Sequence, residues 1–207
     1  MKPERPLLVA TFNAGKLREI RELLAGLPLR LLSLDDFPAI QSVPETGSTF
    51  AENASLKAAG YSHQAGMLTM ADDSGLEVDA LNGAPGVFSA RYAGEEASDA
   101  ARVAKLLTEL SQVEVEGRSA RFVSVIAIAD GSGSILHLSK GICVGQISFA
   151  PRGNYGFGYD PVFLPRGYDS TFAELPPAVK NRLSHRGHAL REALDYLRAL
   201  TGPSGGR

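Results

Sequence analysis

Four short stretches of this sequence combine residue types suited to phosphate or nucleotide chemistry. The first is Thr11, Phe12, Asn13, Ala14, Gly15 and Lys16, set between the apolar run Leu7 to Ala10 and a helix-like pattern. A strand-to-helix turn offers unpaired backbone N–H groups and the positive end of a helix dipole, both of which attract phosphate, and Lys16 adds a full charge. It is not a Walker A loop. Ala10 stands where the first glycine is required, and Leu17 follows the lysine where a magnesium-binding Ser or Thr should stand. Taken alone, the stretch also reads as an ordinary helix cap with an exposed lysine.

The second signal is Glu45 with Asp72 and Asp73. Hard carboxylate oxygens suit Mg²⁺, which takes one or two of them and keeps its other positions for water and phosphate. Adjacent side chains on extended backbone point oppositely, so at most one of Asp72 and Asp73 should face a metal. An Asp-Asp-Ser-Gly turn without catalysis is the competing reading. Third comes Phe157, Gly158, Tyr159 and Asp160, where the glycine allows close backbone approach and the rings could stack on a base, although core aromatics explain them as well. Fourth is Ser184, His185, Arg186 and Gly187 at a helix start, where cations oppose the dipole and so suggest an anionic or carbonyl ligand. A lone His and Arg there are more often surface residues. His63, His137 and His188 have no such company and read as structural or solvent-facing.

These stretches must be held by the elements between them. Leu7 to Thr11 reads as a buried strand, and Asn13 as the cap of a helix with Leu17, Ile20, Leu23, Leu24 and Leu27 inward. Thr49 and Glu52 form a capping-box pattern for a helix to about Gly66, placing Asn53 and Lys57 on one face. Met67 to Ala71 predicts a strand ending in a turn at Asp72 to Gly75, followed by a half-buried strand through Leu76, Val78 and Ala80. Ser98 caps a third helix. Phe122 to Ala129 and Ile135 to Phe149, joined by Asp130 to Gly133, predict a central hairpin. Pro177 starts a short helix containing Lys180, and Ser184 caps a last one. Strands linked by helices together with an antiparallel hairpin predict an α/β protein with a mixed sheet.

The chain has 207 residues, enough for one domain or one two-lobed unit, expected over 1–201 with a frayed tail at 202–207. A net charge of -2 argues against a protein that coats nucleic acid or anionic membrane, so any anion site is local. The single cysteine, Cys143, allows no intrachain disulfide and sits between Ile142 and Val144 as a small buried side chain would. The opening apolar run is too short for a signal peptide, and no apolar stretch approaches membrane-spanning length, which makes the cytoplasm the expected location.

With these stretches in view, the chain resembles the inosine triphosphate pyrophosphatase family, also called the Ham1-like or non-canonical purine NTP pyrophosphatases. The matching stretches are Thr11 to Lys16; Glu45 to Phe50 with Glu52, Asn53 and Lys57; Ala71 to Gly75; Gly83 to Gly86 with Ser89 to Tyr92; Phe157 to Asp160; and Ser184 to Gly187. They span nearly the whole chain in order. Phe12 departs from the glycine or other small residue common at its position. The resemblance implies an elongated two-lobed fold with a central mixed sheet flanked by helices, a homodimer, and hydrolysis of ITP, dITP or XTP to the monophosphate and pyrophosphate. It implies a substrate grip by Thr11, Asn13, Lys16, Ser74, Phe157, Gly158, Tyr159, Asp160, Lys180, His185 and Arg186. Asp73 is implied as general base, and Glu45 and Asp73 as neighbours of Mg²⁺. Lys57 and Lys180 join Lys16 as cations suited to screening a triphosphate. A Maf-like pyrophosphatase and a nucleotide-binding module without turnover are the rival readings. The first lacks support in the form of an arginine-rich opening loop, since Arg18 and Arg21 are spaced as helix-surface charges.

Overall fold

The capping residues do start helices in the computed structural model, which describes residues 5–201. Asn13 accepts the Lys16 backbone N–H at 3.0 Å and opens α1 (Ala14–Leu23). Thr49 and Glu52 close a reciprocal capping box on α2 (Phe50–Ala65), which Gly66 ends in the left-handed conformation at φ 64°. Ser98 opens α3 (Asp99–Glu109), and Pro177 is the first residue of α4 (Pro177–Leu183). The Ser184 hydroxyl accepts the Gly187 N–H at 3.0 Å as α5 (His185–Thr201) begins. The expected tail, 202–207, lies outside the described residues.

Six strands form one sheet: β1 (Arg5–Val9), β2 (Leu29–Ser33), β3 (Thr69–Val78), β4 (Ser119–Ala129), β5 (Ile135–Ile147) and β6 (Phe163–Pro165), in the order β2-β1-β3-β4-β5-β6. β1 runs parallel to β2 and β3, whereas β5 and β6 are antiparallel, so the sheet is mixed as expected. The turn expected at Asp72 to Gly75 is absent, because β3 continues unbroken through it. Both aspartates are buried there beside lysines, and that pairing overrides the turn preference of the Asp-Asp-Ser-Gly sequence.

The chain forms two compact units. The first comprises the chain up to Asp73, Val125–Lys140 and the chain from Ala189. Its core packs Leu7 and Val9 of β1, Ile20 of α1, Met70 of β3, Ile126 and Ile128 of β4, and Leu190, Ala193 and Leu197 of α5. The second comprises Ser74–Ser124 and Gly141–His188. Its core holds Leu76 and Val78 of β3, Val103 and Leu106 of α3, and the ring cluster Phe122, Phe163 and Phe172. Cys143 lies in this second core, where burial pushes its thiol up to about 11, as befits a packing residue. Among the described residues no helix is long and apolar enough to cross a membrane.

One buried cation in the second unit is structural. Arg118, 2% exposed, donates to the carbonyls of Leu110 at 2.7 Å, Val113 at 2.9 Å and Ser148 at 3.1 Å, and lies 4.0 Å from the Phe149 ring centroid. It thereby satisfies carbonyls at and beyond the end of α3, which a helix leaves without partners. Arg118→Ala removes three hydrogen bonds from a buried site, although the Leu110 carbonyl keeps the Val113 N–H at 3.0 Å, so a loss on the order of 3 kcal/mol is expected in urea unfolding. Arg118→Lys should recover little, because an ammonium cannot reproduce the planar fork.

Candidate active site

The first unit gathers three carboxylates and two lysines. α1 has no acidic residue in its first turn, and its lead-in is fixed by short-range bonds: Thr11 Oγ1 accepts the Asn13 N–H at 3.1 Å, and Asn13 accepts from Lys16. Lys16 Nζ reaches Asp72 Oδ2 at 2.8 Å, so this lysine is paired with a fully buried carboxylate. Ala14 and Phe12 are exposed and Gly15 half-buried. The Phe12 ring, 65% exposed, meets Tyr61 edge-on.

Lys57 is the hub. From one buried turn of α2 its Nζ donates to Asp73 Oδ1 at 2.7 Å, Glu45 Oε1 at 3.0 Å and the Asp72 carbonyl at 3.0 Å, which uses all three of its N–H bonds. Asp72 and Asp73 thus meet different lysines, as alternation along β3 requires. Burial opposes the charge on Lys57, but Asp73 and Glu45 outweigh it and raise its pKa. Burial pushes Asp73 upward too, while Lys57 and Lys16 pull it back without cancelling the rise. A carboxyl raised in this way is better poised to accept a proton than an ordinary aspartate.

The balance of charge tests whether a divalent cation fits. Two lysines face Glu45, Asp72 and Asp73, which leaves one negative charge in excess. Asp73 Oδ2 is buried and has no hydrogen-bond partner among the described residues. No group of three or more His, Cys, Asp or Glu side chains among those residues could hold a metal alone. Two carboxylates brought together on Lys57, with one Asp73 oxygen left without a hydrogen-bond partner among those residues, suit Mg²⁺ that completes its shell with phosphate and water. They do not suit a zinc-type cage.

The second unit holds the aromatic loop and the start of α5. Asp160 Oδ2 accepts the Phe157 N–H at 2.8 Å and pairs with Lys180 Nζ, both side chains being almost fully buried. Gly156, at φ 77°, has no room for a Cβ against the Asp160 carboxylate. Lys180 lies 4.8 Å from the Phe157 ring centroid and Arg186 Cζ 5.7 Å from it. Arg186 also donates to Ser74 Oγ at 2.9 Å, and His185 stacks on Phe122 at 4.6 Å. Gly187 permits this tight entry, since a Cβ there would strike the Asn181 carbonyl.

Several sequence readings change at this point. His185 and Arg186 are 4% and 2% exposed, so they are not surface residues. Tyr159 is a core residue whose hydroxyl donates to the Ser89 carbonyl at 3.0 Å, leaving Phe157 as the half-buried ring of that pair. Lys180 is committed to Asp160 and shapes the loop from beneath. Sequence reasoning missed Asp99, whose Oδ2 accepts the Gly158 N–H at 2.6 Å while its Oδ1 pairs with Arg102. At the first position of α3 it looks like a dipole-favouring acid, and only the fold brings Gly158 to it.

Residues 7–196 match the Ham1 family. The chain belongs to that family. It is 52% identical to a dITP/XTP pyrophosphatase of Geobacter sulfurreducens, across 92% of this chain and 96% of the relative. A dITP/XTP pyrophosphatase of Oceanobacillus iheyensis is 45% identical, across 95% of this chain and all of the relative. A solved HAM1 protein from Coxiella burnetii superposes with a TM-score of 0.85 at 43% identity, covering 94% of this chain and 99% of its own. The Ham1 chain therefore spans nearly the full length of these relatives.

Asp99 gives this site a local test. Asp99→Ala should speed amide hydrogen exchange at Gly158 by about tenfold or more, the scale of one charge-assisted hydrogen bond. Asp99→Asn keeps an acceptor oxygen and should restore most of the protection; equal exchange in wild type and both variants would remove Asp99 from the loop's support.

Proposed function

We propose that this Ham1 protein hydrolyses non-canonical purine nucleoside triphosphates, dITP, ITP and XTP, to the monophosphate and pyrophosphate, with Mg²⁺. Near-full-length identity to relatives named dITP/XTP pyrophosphatases carries the reading. The buried Lys57, Asp73 and Glu45 cluster supports it chemically. The excess negative charge and the unpartnered Asp73 Oδ2 favour turnover over a binding module that merely cradles a nucleotide.

A triphosphate carries about four negative charges at neutral pH, and these repel an attacking water. Lys16 and the N–H groups opening α1 bind phosphate oxygens, and Thr11, Asn13 and Gly15 shape that turn. Glu45 and Asp73 would hold Mg²⁺, which when bound neutralises phosphate charge and stabilises the leaving pyrophosphate. Asp73 Oδ2 accepts a proton from water as the water oxygen bonds to the α-phosphorus. The α–β bridging P–O bond breaks, and its electron pair leaves with pyrophosphate. Lys57 holds Asp73 in place throughout.

Residues of the second unit take the base. Phe157 supplies the ring face, set by Gly158, Asp160 and Lys180. His185 and Arg186, the latter braced on Ser74, present donors suited to a 6-oxo group, whereas the 6-amino group of adenine offers donors to donors. The same reading makes residues 1–201 one catalytic domain, acts on the cytoplasmic nucleotide pool and takes the chain to be a homodimer. The outward row Leu136, Leu138, Ile142 and Val144 on β5 supplies apolar surface for such pairing.

A panel of nucleoside triphosphates, scored for pyrophosphate, orthophosphate and the nucleotide product, tests the reading. dITP, ITP and XTP should yield pyrophosphate and monophosphate, ATP should yield little, and chelation should abolish turnover until Mg²⁺ is restored. ATP turned over as well as dITP would overturn the base readout, and full activity under chelation the metal.

The two aspartates separate the roles. Asp73→Asn keeps volume but removes basicity, so kcat should fall about 10²- to 10⁴-fold while circular dichroism stays native. Asp72→Asn loosens only the hold on Lys16 and should cost about tenfold or less. Near-normal pyrophosphate release by Asp73→Asn would exclude it as the base.

A further inference from the structure

Glu45 lies in a segment, residues 41–47, that belongs to no helix or strand, yet it carries a carboxylate that must meet Lys57 and Asp73. The segment's hydrogen bonds go instead to side chains along one face of α2. The Gln41 N–H is accepted by Gln64 Oε1 at 2.8 Å, and Gln64 Nε2 returns a bond to the Gln41 carbonyl at 3.0 Å. The Val43 N–H donates to the Tyr61 hydroxyl at 3.2 Å, and the Gly47 N–H to Asn53 Oδ1 at 2.8 Å. Between them the Glu45 side chain meets Lys57 at 3.0 Å.

The register is regular on both sides. Positions 53, 57, 61 and 64 share a helix face. Positions 41, 43, 45 and 47 are alternate residues, whose N–H groups point one way when backbone is extended. From Ser42 onward exposure follows the same alternation: Val43, Glu45 and Gly47 are half-buried, while Ser42, Pro44 and Thr46 are exposed, as is Gln41 at the outer end. Pro44, which has no N–H to place, occupies an outward position. Eleven residues of helix rise about 16 Å, against at most about 20 Å for six residues of extended chain, so the two ladders keep step. The contact is close enough to demand glycine on α2, where a Cβ at Gly60 would come within 2.7 Å of Val43 Cγ2.

We infer that Asn53, Tyr61 and Gln64 are positioning residues for the catalytic cation site: they hold residues 41–47 against α2 and thereby fix the Glu45 carboxylate opposite Lys57. The inference rests on the functional reading above for the role of Glu45. A loosened ladder leaves the fold and Asp73 in place but moves one of the two carboxylates offered to Mg²⁺, so it raises the metal requirement more than it lowers kcat at saturating metal.

Two variants and one rescue test this in the full chain. Tyr61→Phe keeps the ring and its edge contact with Phe12 but removes the acceptor for Val43. It should raise the Mg²⁺ concentration for half-maximal pyrophosphate release about threefold to tenfold at saturating dITP, and speed amide exchange at Val43. Gly60→Ala keeps every ladder donor and acceptor, but its Cβ would fall 2.7 Å from Val43 Cγ2, so no gain in Tm is expected from the higher helix propensity of Ala. It should raise the Mg²⁺ requirement comparably, because the stiff Val43 side chain is pushed off α2. The double variant Gly60→Ala with Val43→Ala should return within about twofold of wild type. Wild-type metal dependence and wild-type exchange across residues 41–49 in both single variants would overturn the ladder, as would a Gly60→Ala defect that Val43→Ala does not relieve. A wild-type protein that releases pyrophosphate without Mg²⁺ would instead overturn the functional reading and the ladder's metal role with it, while exchange at Val43 and Gly47 still reports the tether.

Discussion

An ammonium group stripped of most of its water must be met by opposite charge and by acceptors for each of its protons, and Lys57 sets that demand at the centre of the first unit. Asp73, Glu45 and the Asp72 carbonyl answer it from β3 and from the segment before α2. Supplying those acceptors brings together residues far apart in sequence, and the arrangement is costly to break. Removing one partner of such a pair typically costs about 3–5 kcal/mol, since the survivor is left buried and uncompensated. The same grouping, slightly over-supplied with negative charge, is also what a divalent cation and a proton-accepting carboxylate need.

The second unit repeats the logic with a different purpose. Lys180 and Asp160 form its buried ion pair, and the surplus acceptor capacity of Asp160 goes to the Phe157 N–H, inside its own loop. That pair gives shape to an aromatic platform, with Asp99 gripping Gly158 on another side and Tyr159 rooted in the core through Ser89. In the proposed function, charge handled in the first unit serves the chemistry, and charge handled in the second holds a ring and its donors in place.

Much of this was legible in the sequence wherever a local rule applies. Asn13, Thr49 with Glu52, Ser98 and Ser184 announce helix starts because caps act over three residues. The long apolar run in β4 announces a buried strand. β2 was not foreseen, because Leu29–Ser33 has no clean alternation and exists by pairing with β1. Asp-Asp-Ser-Gly reads as a turn, yet β3 runs through it as a strand between β1 and β4, with both aspartates paired to lysines of α1 and α2. The site residues were named through family likeness more than through spacing. Their division of labour became visible only with distances: Lys180 serves Asp160, Tyr159 serves the core, and Asp99 serves Gly158.

The unbroken run of β3 through two identical acidic residues has a consequence for how this protein could change over time. A deletion or insertion of one residue just upstream would slide one aspartate into the place of its twin, so a carboxylate would survive at one of the two positions only. What would not survive is the context: Ala71 or Ser74 would arrive where a carboxylate is required, and every flanking side chain would turn to the opposite face. A doubled letter in the sequence thus looks like redundancy and behaves as none. A one-residue slip therefore costs one of the two lysine pairs and turns Leu76 and Val78 out of the second core.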